Sequence, residues 1–187
     1  MNGFNQATTA AEEIKKAISS GCRMLAIREH SVKQISIKLG KKGFTQRAVR
    51  RSIEYFIDEN WLSESRFCNS YIRSKASKGQ GLKRIERELA QHGIAQSMIV
   101  DEIKKENIDW QRVCNETLLK KQRYSSSRLN IGSQLENDFD GSKKVSREDK
   151  HQISLKEKIK LEKFLIYRGF SNEQIRTAIN QHIVIEH

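Results

Sequence analysis

The side chains best suited to binding chemistry in this 187-residue chain are its cations, which are concentrated in two segments. Residues 23–51 hold nine Lys/Arg and one acidic residue, and residues 66–87 hold seven Lys/Arg and one acidic residue. Guanidinium and ammonium groups at this density attract phosphates and other polyanions. Since the whole chain has a formal net charge of +12, these two segments carry the excess. They favour a polyanionic partner over a surface that is merely solvated.

Three groups of cations are the candidate binding residues. Each group is expected on a helix whose apolar positions face the core, so that the cations face outward. The first two groups accompany the pairs Val49/Ile53 and Ile85/Leu89, and the third ends the helix before Gly79. The candidates are Arg47, Arg50 and Arg51; Lys83, Arg84 and Arg87; and Arg73, Lys75 and Lys78. For the last three, a structural role remains an alternative, because cations also stabilise the carbonyl end of a helix.

Residue types suited to catalysis or metal binding are present, but their spacing forms no site. The five histidines are scattered, without a carboxylate or cysteine at metal-ligand spacing. They are His30, His92, His151, His182 and His187. The cysteines Cys22, Cys68 and Cys114 are 46 residues apart each time and form no CxxC pair, so we interpret them as reduced residues at related positions. We therefore expect a non-enzymatic protein with no cofactor and no metal.

The stretch Gly79-Gln80-Gly81 has the appearance of a phosphate-binding loop. No strand is expected before it, and neither a third glycine nor a GK[ST] sequence follows, so the signal is weak. We interpret it as a connection between two helices that lets a partner's backbone come close, because glycine has no Cβ.

The elements that must position these side chains follow from a pattern that occurs three times. Apolar residues four apart lie on one helix face, and a glycine next in the series favours the left-handed conformation that ends a helix. A second apolar series follows each glycine and matches at the sixth and tenth residues after it. These residues are Val49 and Ile53, Ile99 and Ile103, and Ile175 and Ile179. The three copies are Ile35-x3-Leu39-x3-Gly43-Phe44, Ile85-x3-Leu89-x3-Gly93-Ile94 and Leu161-x3-Leu165-x3-Gly169-Phe170.

Each copy predicts two helices joined by a glycine turn, at Gly43, Gly93 and Gly169. Thr45 and Ser171 are good N-caps for the second helix, whereas Ala95 is a poor one. A further helix is expected before each pair, over roughly 10–30 in the first copy and beginning near Arg66 and Arg112 in the others. Chance similarity between the helices of one ordinary domain is the alternative to a true repeat.

The predicted fold is all-α, an elongated array of three tandem three-helix repeats that resemble helix-turn-helix units. We place the repeats at 1–62, 63–107 and 108–187. The third is interrupted at 125–150 by a polar segment without apolar periodicity, which we interpret as a flexible insert. The absence of proline suits a helical chain. No apolar run is long enough to cross a membrane and no signal peptide opens the chain, so we expect a cytoplasmic protein.

Four segments in the middle and near the end of the chain form a recognisable combination. They are Glu64-Ser65-Arg66-Phe67, Tyr71-Ile72-Arg73-Ser74-Lys75, Lys78-Gly79-Gln80-Gly81-Leu82-Lys83-Arg84-Ile85 and Arg168-Gly169-Phe170. In them the chain resembles the RecX family of bacterial recombinase regulators. The family pattern has an acidic-Arg-Phe entry, a basic helix end, a Gly-x-Gly step and an Ile-x3-Leu helix, and its last repeat often contains Arg-Gly-Phe. The match spans about 24–180, with Leu82 in place of a common proline and the 125–150 insert as departures.

This resemblance implies a monomeric protein that binds the RecA–DNA filament and restrains the ATPase, strand-exchange and coprotease activities of RecA. Arg66 joins the candidate contacts on this ground. Binding to single-stranded or duplex DNA alone is expected to be weak and independent of sequence. The alternative is a direct DNA-binding protein that reads bases with the second helix of each pair. That alternative is disfavoured because Gln96-Ser97-Asp101-Glu102, in the middle copy, is acidic.

Overall fold

The structure is a computed structural model that describes residues 2–130 and 151–185, with side chains from 9–123 and 153–184. It is an all-α array of three-helix repeats, with one short pair of strands near the C-terminal end. In order, the elements are α1 Asn2–Leu25, α2 Val32–Lys41, α3 Gln46–Asp58, α4 Glu64–Ser77, α5 Leu82–Gln91, α6 Gln96–Glu106, α7 Trp110–Asn130, β1 His151–Ile153, α8 Leu155–Arg168, α9 Asn172–His182 and β2 Ile183–Ile185.

The glycine turns lie between the second and third helix of each triplet. Gly43, Gly93 and Gly169 have φ values of +87°, +86° and +94°, the left-handed region that the repeat pattern predicts for them. Two further turns use asparagine, since Asn60 and Asn107 have φ values of +55° and +44° after α3 and α6. Asparagine tolerates this region better than most residues. The chain therefore turns at these five helix ends without strain on a bulky side chain.

Helix starts follow local capping chemistry. The Thr45 hydroxyl accepts a hydrogen bond from the Ala48 backbone N–H, while Ser154 and Ser171 each form a capping box. Ala95 precedes α6 in the same extended conformation but offers no side-chain hydrogen bond. The prediction of two good caps and one poor one is confirmed.

The described chain divides into two compact units. Unit 1 comprises residues 1–73 and 86–107, and unit 2 comprises 74–85 and 108–187. These units do not coincide with the repeat boundaries at 1–62, 63–107 and 108–187, which stay a prediction. Each unit has a core that includes repeat positions, such as Leu39 in unit 1 and Leu165 in unit 2. In unit 1 the core residues are Ile35, Leu39, Val49, Phe56 and Leu62; in unit 2 they are Cys114, Leu118, Leu161, Leu165, Phe170, Ile175, Ala178, Ile179 and Ile183.

Three details differ from the sequence-based expectation. Helix α1 covers 2–25 rather than 10–30, so His30 lies in the connection to α2. The first six residues of the expected insert at 125–150 belong to α7, while 131–150 fall outside the described residues. A parallel pairing of β1 with β2, in the register His151 to Ile183, was not expected. No helix of the described residues is long and apolar enough to cross a membrane.

Candidate functional site

The α3 cations form an exposed group in unit 1. Ala48, Val49, Ser52 and Phe56 take the buried face of this helix. The opposite face carries Arg47, Arg50 and Arg51, which are exposed and line a shallow depression together with Glu54. The Arg51 guanidinium donates to the Glu54 carboxylate at 3.0 Å, so part of its charge is neutralised within the helix. Arg47 and Arg50 are the candidates on α3 best placed to meet a polyanion.

The two arginines of α4 in unit 1 are engaged with carboxylates. Arg66 donates through Nε to Glu29 at 2.9 Å and through its other nitrogens to the side chain and carbonyl of Asn60. It therefore ties the start of α4 to the Asn60 turn. Arg73 forms a bidentate ion pair with Glu106, in which Nε and Nη2 donate to the two carboxylate oxygens at 2.6 and 2.9 Å. Hydrogen bonding to Glu106 raises the pKa of Arg73 above its ordinary value. Both side chains have structural partners that the sequence spacing did not indicate.

Helix α5 contributes cations on the side away from its buried residues Ile85 and Leu89. Lys83 and Arg87 are exposed, as expected. Arg84 is only partly exposed, and its guanidinium lies over the Tyr167 ring, 5.1 Å from the ring centroid. Arg84 thus has a packing role in unit 2, and its part in binding a partner stays a prediction.

The Gly79-Gln80-Gly81 step lies against the chain's own backbone. The Gly81 N–H donates to the Arg168 carbonyl at 2.8 Å, and the Lys83 N–H donates to the Gly169 carbonyl at 3.1 Å. A Cβ at Gly81 would overlap the backbone of Gly169. The close backbone approach was correctly predicted, but the approaching segment is the last glycine turn of unit 2 rather than a partner. These bonds fix the start of α5.

A basic pocket in unit 2 was missed by the sequence reasoning. It has a volume of about 320 Å³ and brings together the candidate Lys78 with cations from α7 and α8. Lys75, the preceding candidate, is partly buried nearby on α4. The lining residues are Ser77, Lys78, Gly79, Thr117, Lys120, Lys121, Phe164 and Arg168. We call this cavity the Arg168 pocket.

One sequence signal could have indicated the Arg168 pocket. A basic or imidazole side chain precedes each turn glycine, at Lys42, His92 and Arg168. In unit 1, Lys42 likewise lines a cavity with Lys16 and Arg23. The remaining lining residues of the Arg168 pocket come from distant parts of the sequence, so their spacing carried no information.

Cys68, Cys114 and Glu102 are buried groups of residue types that catalysis can use. Burial raises the pKa of the Cys68 and Cys114 thiols to about 11, which disfavours the reactive thiolate. The buried Glu102 carboxylate accepts hydrogen bonds from Lys105 at 2.7 Å and Ser65 at 3.0 Å, and the bond from Lys105 lowers its pKa. No group of three or more His, Cys, Asp or Glu in the described part of the chain could hold a metal ion.

Comparison with protein families matches two segments. Residues 17–56 match the model described as "RecX, first three-helix domain", and residues 63–101 match "RecX, second three-helix domain". The first segment covers the last nine residues of α1, all of α2 and most of α3, and the second covers α4, α5 and the first half of α6.

Individual proteins give the same result. A "Regulatory protein RecX" of Yersinia enterocolitica is 27% identical over 187 residues, covering 89% of this chain and 97% of the relative. Its counterpart in Yersinia pseudotuberculosis is 31% identical over 135 residues, covering 72% of this chain and 60% of the relative.

The crystal structure of RecX from Lactobacillus salivarius has a TM-score of 0.63 at 18% identity, covering 91% of this chain and 96% of that one. A crystal structure of a regulatory protein RecX has a TM-score of 0.68 at 17% identity, covering 94% and 75%.

Proposed function

Because the chain belongs to the RecX family and has a regulatory role of that kind, we propose that it binds the RecA–DNA filament. In doing so it inhibits or modulates RecA ATPase, strand exchange and coprotease activity. It acts by binding, without catalysis of its own, in the cytoplasm where RecA works. The observation that carries this proposal is the pair of cationic helix faces on α3 and α5, each opposite a buried apolar face.

The cations supply the contact with DNA. Arg47 and Arg50 project from a helix that the core of unit 1 holds in place, so they meet phosphates without first ordering a loop. Each contact with a backbone phosphate releases counterions, which favours binding but makes it sensitive to salt. The apolar and polar surfaces around these cations provide the contacts with RecA. A regulator that bridges several filament subunits must be displaced before those subunits can complete a cycle of ATP hydrolysis. ATP turnover slows as a result.

The decisive experiment measures ATP hydrolysis by a cognate RecA on single-stranded DNA, with and without the protein, at low salt. Equimolar or lower amounts are expected to slow hydrolysis and to shorten filaments seen by electron microscopy. No effect on ATPase, strand exchange or repressor cleavage under these conditions would refute the proposal.

A variant pair tests the α3 face. Arg47→Glu/Arg50→Glu should lose most of the inhibition, because two outward cations become anions while the core residues of α3 are unchanged. The double variant Lys104→Glu/Lys156→Glu is the control, since it makes the same change in net charge at exposed positions on α6 and α8. Circular dichroism establishes that both variants remain helical. Equal loss in both would assign the effect to net charge rather than to the α3 face.

The alternative of direct sequence-specific DNA binding has some support on α3 alone. The third helices of the triplets differ in their exposed charges: α3 is basic, whereas α6 exposes Asp101 beside Lys104 and Lys105. Glu102, which the sequence reasoning counted as part of an acidic surface, is buried, so the exposed face of α6 is mixed rather than acidic. Three equivalent reading helices are therefore not present among α3, α6 and α9, and filament binding remains the preferred function.

A further inference from the structure

The Arg168 pocket in unit 2 has the composition of an anion site. Lys78, Lys120, Lys121 and Arg168 make up half of its lining, and none of its eight lining residues, all in the described part of the chain, is acidic. The volume of about 320 Å³ lies at the lower end of the range of small-ligand pockets, which is ample for a phosphate group.

Arg168 is held in position before any ligand arrives. One of its terminal nitrogens donates to the Lys78 carbonyl at 2.9 Å, and its guanidinium lies 5.0 Å from the centroid of the Phe164 ring. The Lys121 ammonium lies 5.5 Å from the same centroid. A planar guanidinium that is fixed in this way can still direct its remaining N–H groups toward two oxygens of one phosphate. Phe164 thus positions two of the four cations.

Stabilisation of a helix end is the simpler explanation for these cations, but it does not account for all of them. The pocket lies at the C-terminal end of α4, where Ser77, Lys78 and Gly79 contribute to its lining. A helix C-terminus carries roughly half an elementary negative charge. The Lys78 carbonyl there is already satisfied by Arg168. The side chains of Lys78 and Lys120 take no part in that bond, and their charges favour a bound anion.

The surroundings of the pocket favour a polymeric anion. The backbone bonds of Gly81 and Lys83 to residues 168 and 169 place the start of α5 beside Arg168, and Arg84 lies over Tyr167. The basic surface therefore continues from the pocket to Lys83 and Arg84 within unit 2. We propose that the Arg168 pocket binds a backbone phosphodiester of a nucleic-acid strand, whose next phosphates lie along Lys83 and Arg84. This inference rests on the proposed function in one respect, namely that the strand is the DNA of the filament.

The test uses the full chain, labelled with nitrogen-15, and two probes: inorganic phosphate and a short single-stranded oligothymidylate. The variant Lys78→Gln/Lys120→Gln removes two cations at exposed positions and leaves Arg168 and Phe164 intact. The control Lys104→Gln/Lys156→Gln makes the same change in net charge away from the lining residues. Amide resonances of Gly79 and Gly81 report on the pocket, and fluorescence anisotropy measures oligonucleotide affinity against salt.

Phosphate should shift both glycine resonances in the wild type and the control, but not in the pocket variant. The slope of log affinity against log salt for the oligonucleotide should become shallower by about 0.7 in the pocket variant, since the pocket holds one phosphate and each single-strand phosphate contributes about 0.7. Resonance shifts with phosphate, combined with equal oligonucleotide affinity in the two variants, would overturn the assignment to a strand. Absence of shifts with both probes would overturn the site itself. Neither assay contains RecA, so a failure of the filament proposal would be seen separately in the ATPase experiment.

Discussion

At the scale of single residues, His30 is a buried imidazole among cations. It is 2% exposed, with Nδ1 2.9 Å from the Arg28 carbonyl and Nε2 2.8 Å from the Lys38 ammonium. The neutral tautomer with hydrogen on Nδ1 satisfies both contacts, because Nε2 then accepts from Lys38. Burial lowers the pKa of His30, and the positive charges of Arg28 and Lys38 lower it further, against the opposing effects of the hydrogen bond to the Arg28 carbonyl and of Glu29.

This environment predicts a pH-dependent stability. The folded protein holds His30 neutral more strongly than the unfolded chain does, so the stabilisation is present above the ordinary pKa of 6.5 and is lost as pH falls below it. Urea unfolding of the wild type should therefore give a smaller free energy at pH 5.5 than at pH 7.5. His30→Gln should reduce this difference, because glutamine does not titrate. An unchanged pH dependence in the variant would show that other groups are responsible.

The turn glycines provide a second residue-scale prediction, with its own control. Gly43 and Gly169 share a left-handed φ, but a Cβ would meet nothing within 4 Å at Gly43, whereas at Gly169 it would overlap Arg84. Gly43→Ala should destabilise by about 1–2 kcal/mol, the cost of left-handed geometry for an L-residue. Gly169→Ala should destabilise by more, since the start of α5 must also move. Free energies of urea unfolding measure both, and equal losses would contradict the close approach at Arg84.

At the scale of elements, α6 lacks a side-chain N-cap, and a substitution at Ala95 can supply one. Ala95 is exposed and has φ −65° and ψ 141°, close to the φ −76° and ψ 156° of the capping residue Ser171. Ala95→Ser should stabilise the protein by about 1 kcal/mol, because the hydroxyl can accept from a free N–H in the first turn. Thr45→Ala, at the equivalent position before α3, should destabilise by a similar or larger amount, since Thr45 also bonds Glu13. Thermal unfolding of the two variants provides the comparison.

The elements show which features can be predicted from sequence. The glycine turns and the Thr45 and Ser171 caps were predictable because their chemistry lies within a few consecutive residues. The Asn60 and Asn107 turns also depend on neighbouring residues only, because an asparagine just after an amphipathic helix indicates a left-handed turn. The β1–β2 pairing was not predictable, because it joins segments about 30 residues apart and neither strand has a periodic pattern long enough to recognise.

For the molecule as a whole, the sequence identified where the positive charge lies but not how it is used. Helical periodicity correctly separated exposed Arg47, Lys83 and Arg87 from the buried positions on the same helices. It could not reveal that Arg66 pairs with Glu29 or that Arg73 pairs with Glu106, since these carboxylates lie 37 and 33 residues away. The Arg168 pocket was missed for the same reason. Pairing between distant residues decides which cations remain available for a partner.

Salt dependence distinguishes a filament regulator from a sequence-specific DNA reader. Duplexes of unrelated sequence should bind with similar, weak affinity. If about four phosphates are contacted, log affinity should fall against log salt with a slope of roughly −3 to −4, by counterion release. Arg47→Gln/Arg50→Gln should make this slope shallower by about 1.8, at about 0.9 for each lost duplex phosphate. Lys104→Gln/Lys156→Gln should leave it nearly unchanged.

The complex with the RecA filament should depend less steeply on salt than the complex with naked DNA. Part of its binding free energy comes from protein surfaces that become buried against RecA, and burial of apolar surface releases no counterions. Co-sedimentation with RecA filaments across a salt series, beside anisotropy on the same DNA without RecA, measures the two slopes directly. Equal slopes would mean that the protein recognises only the DNA within the filament. A tight complex with one duplex sequence, persisting near physiological salt without RecA, would instead favour base reading by α3. Only α3, among the third helices of the triplets, presents an exposed row of arginines with which to do this.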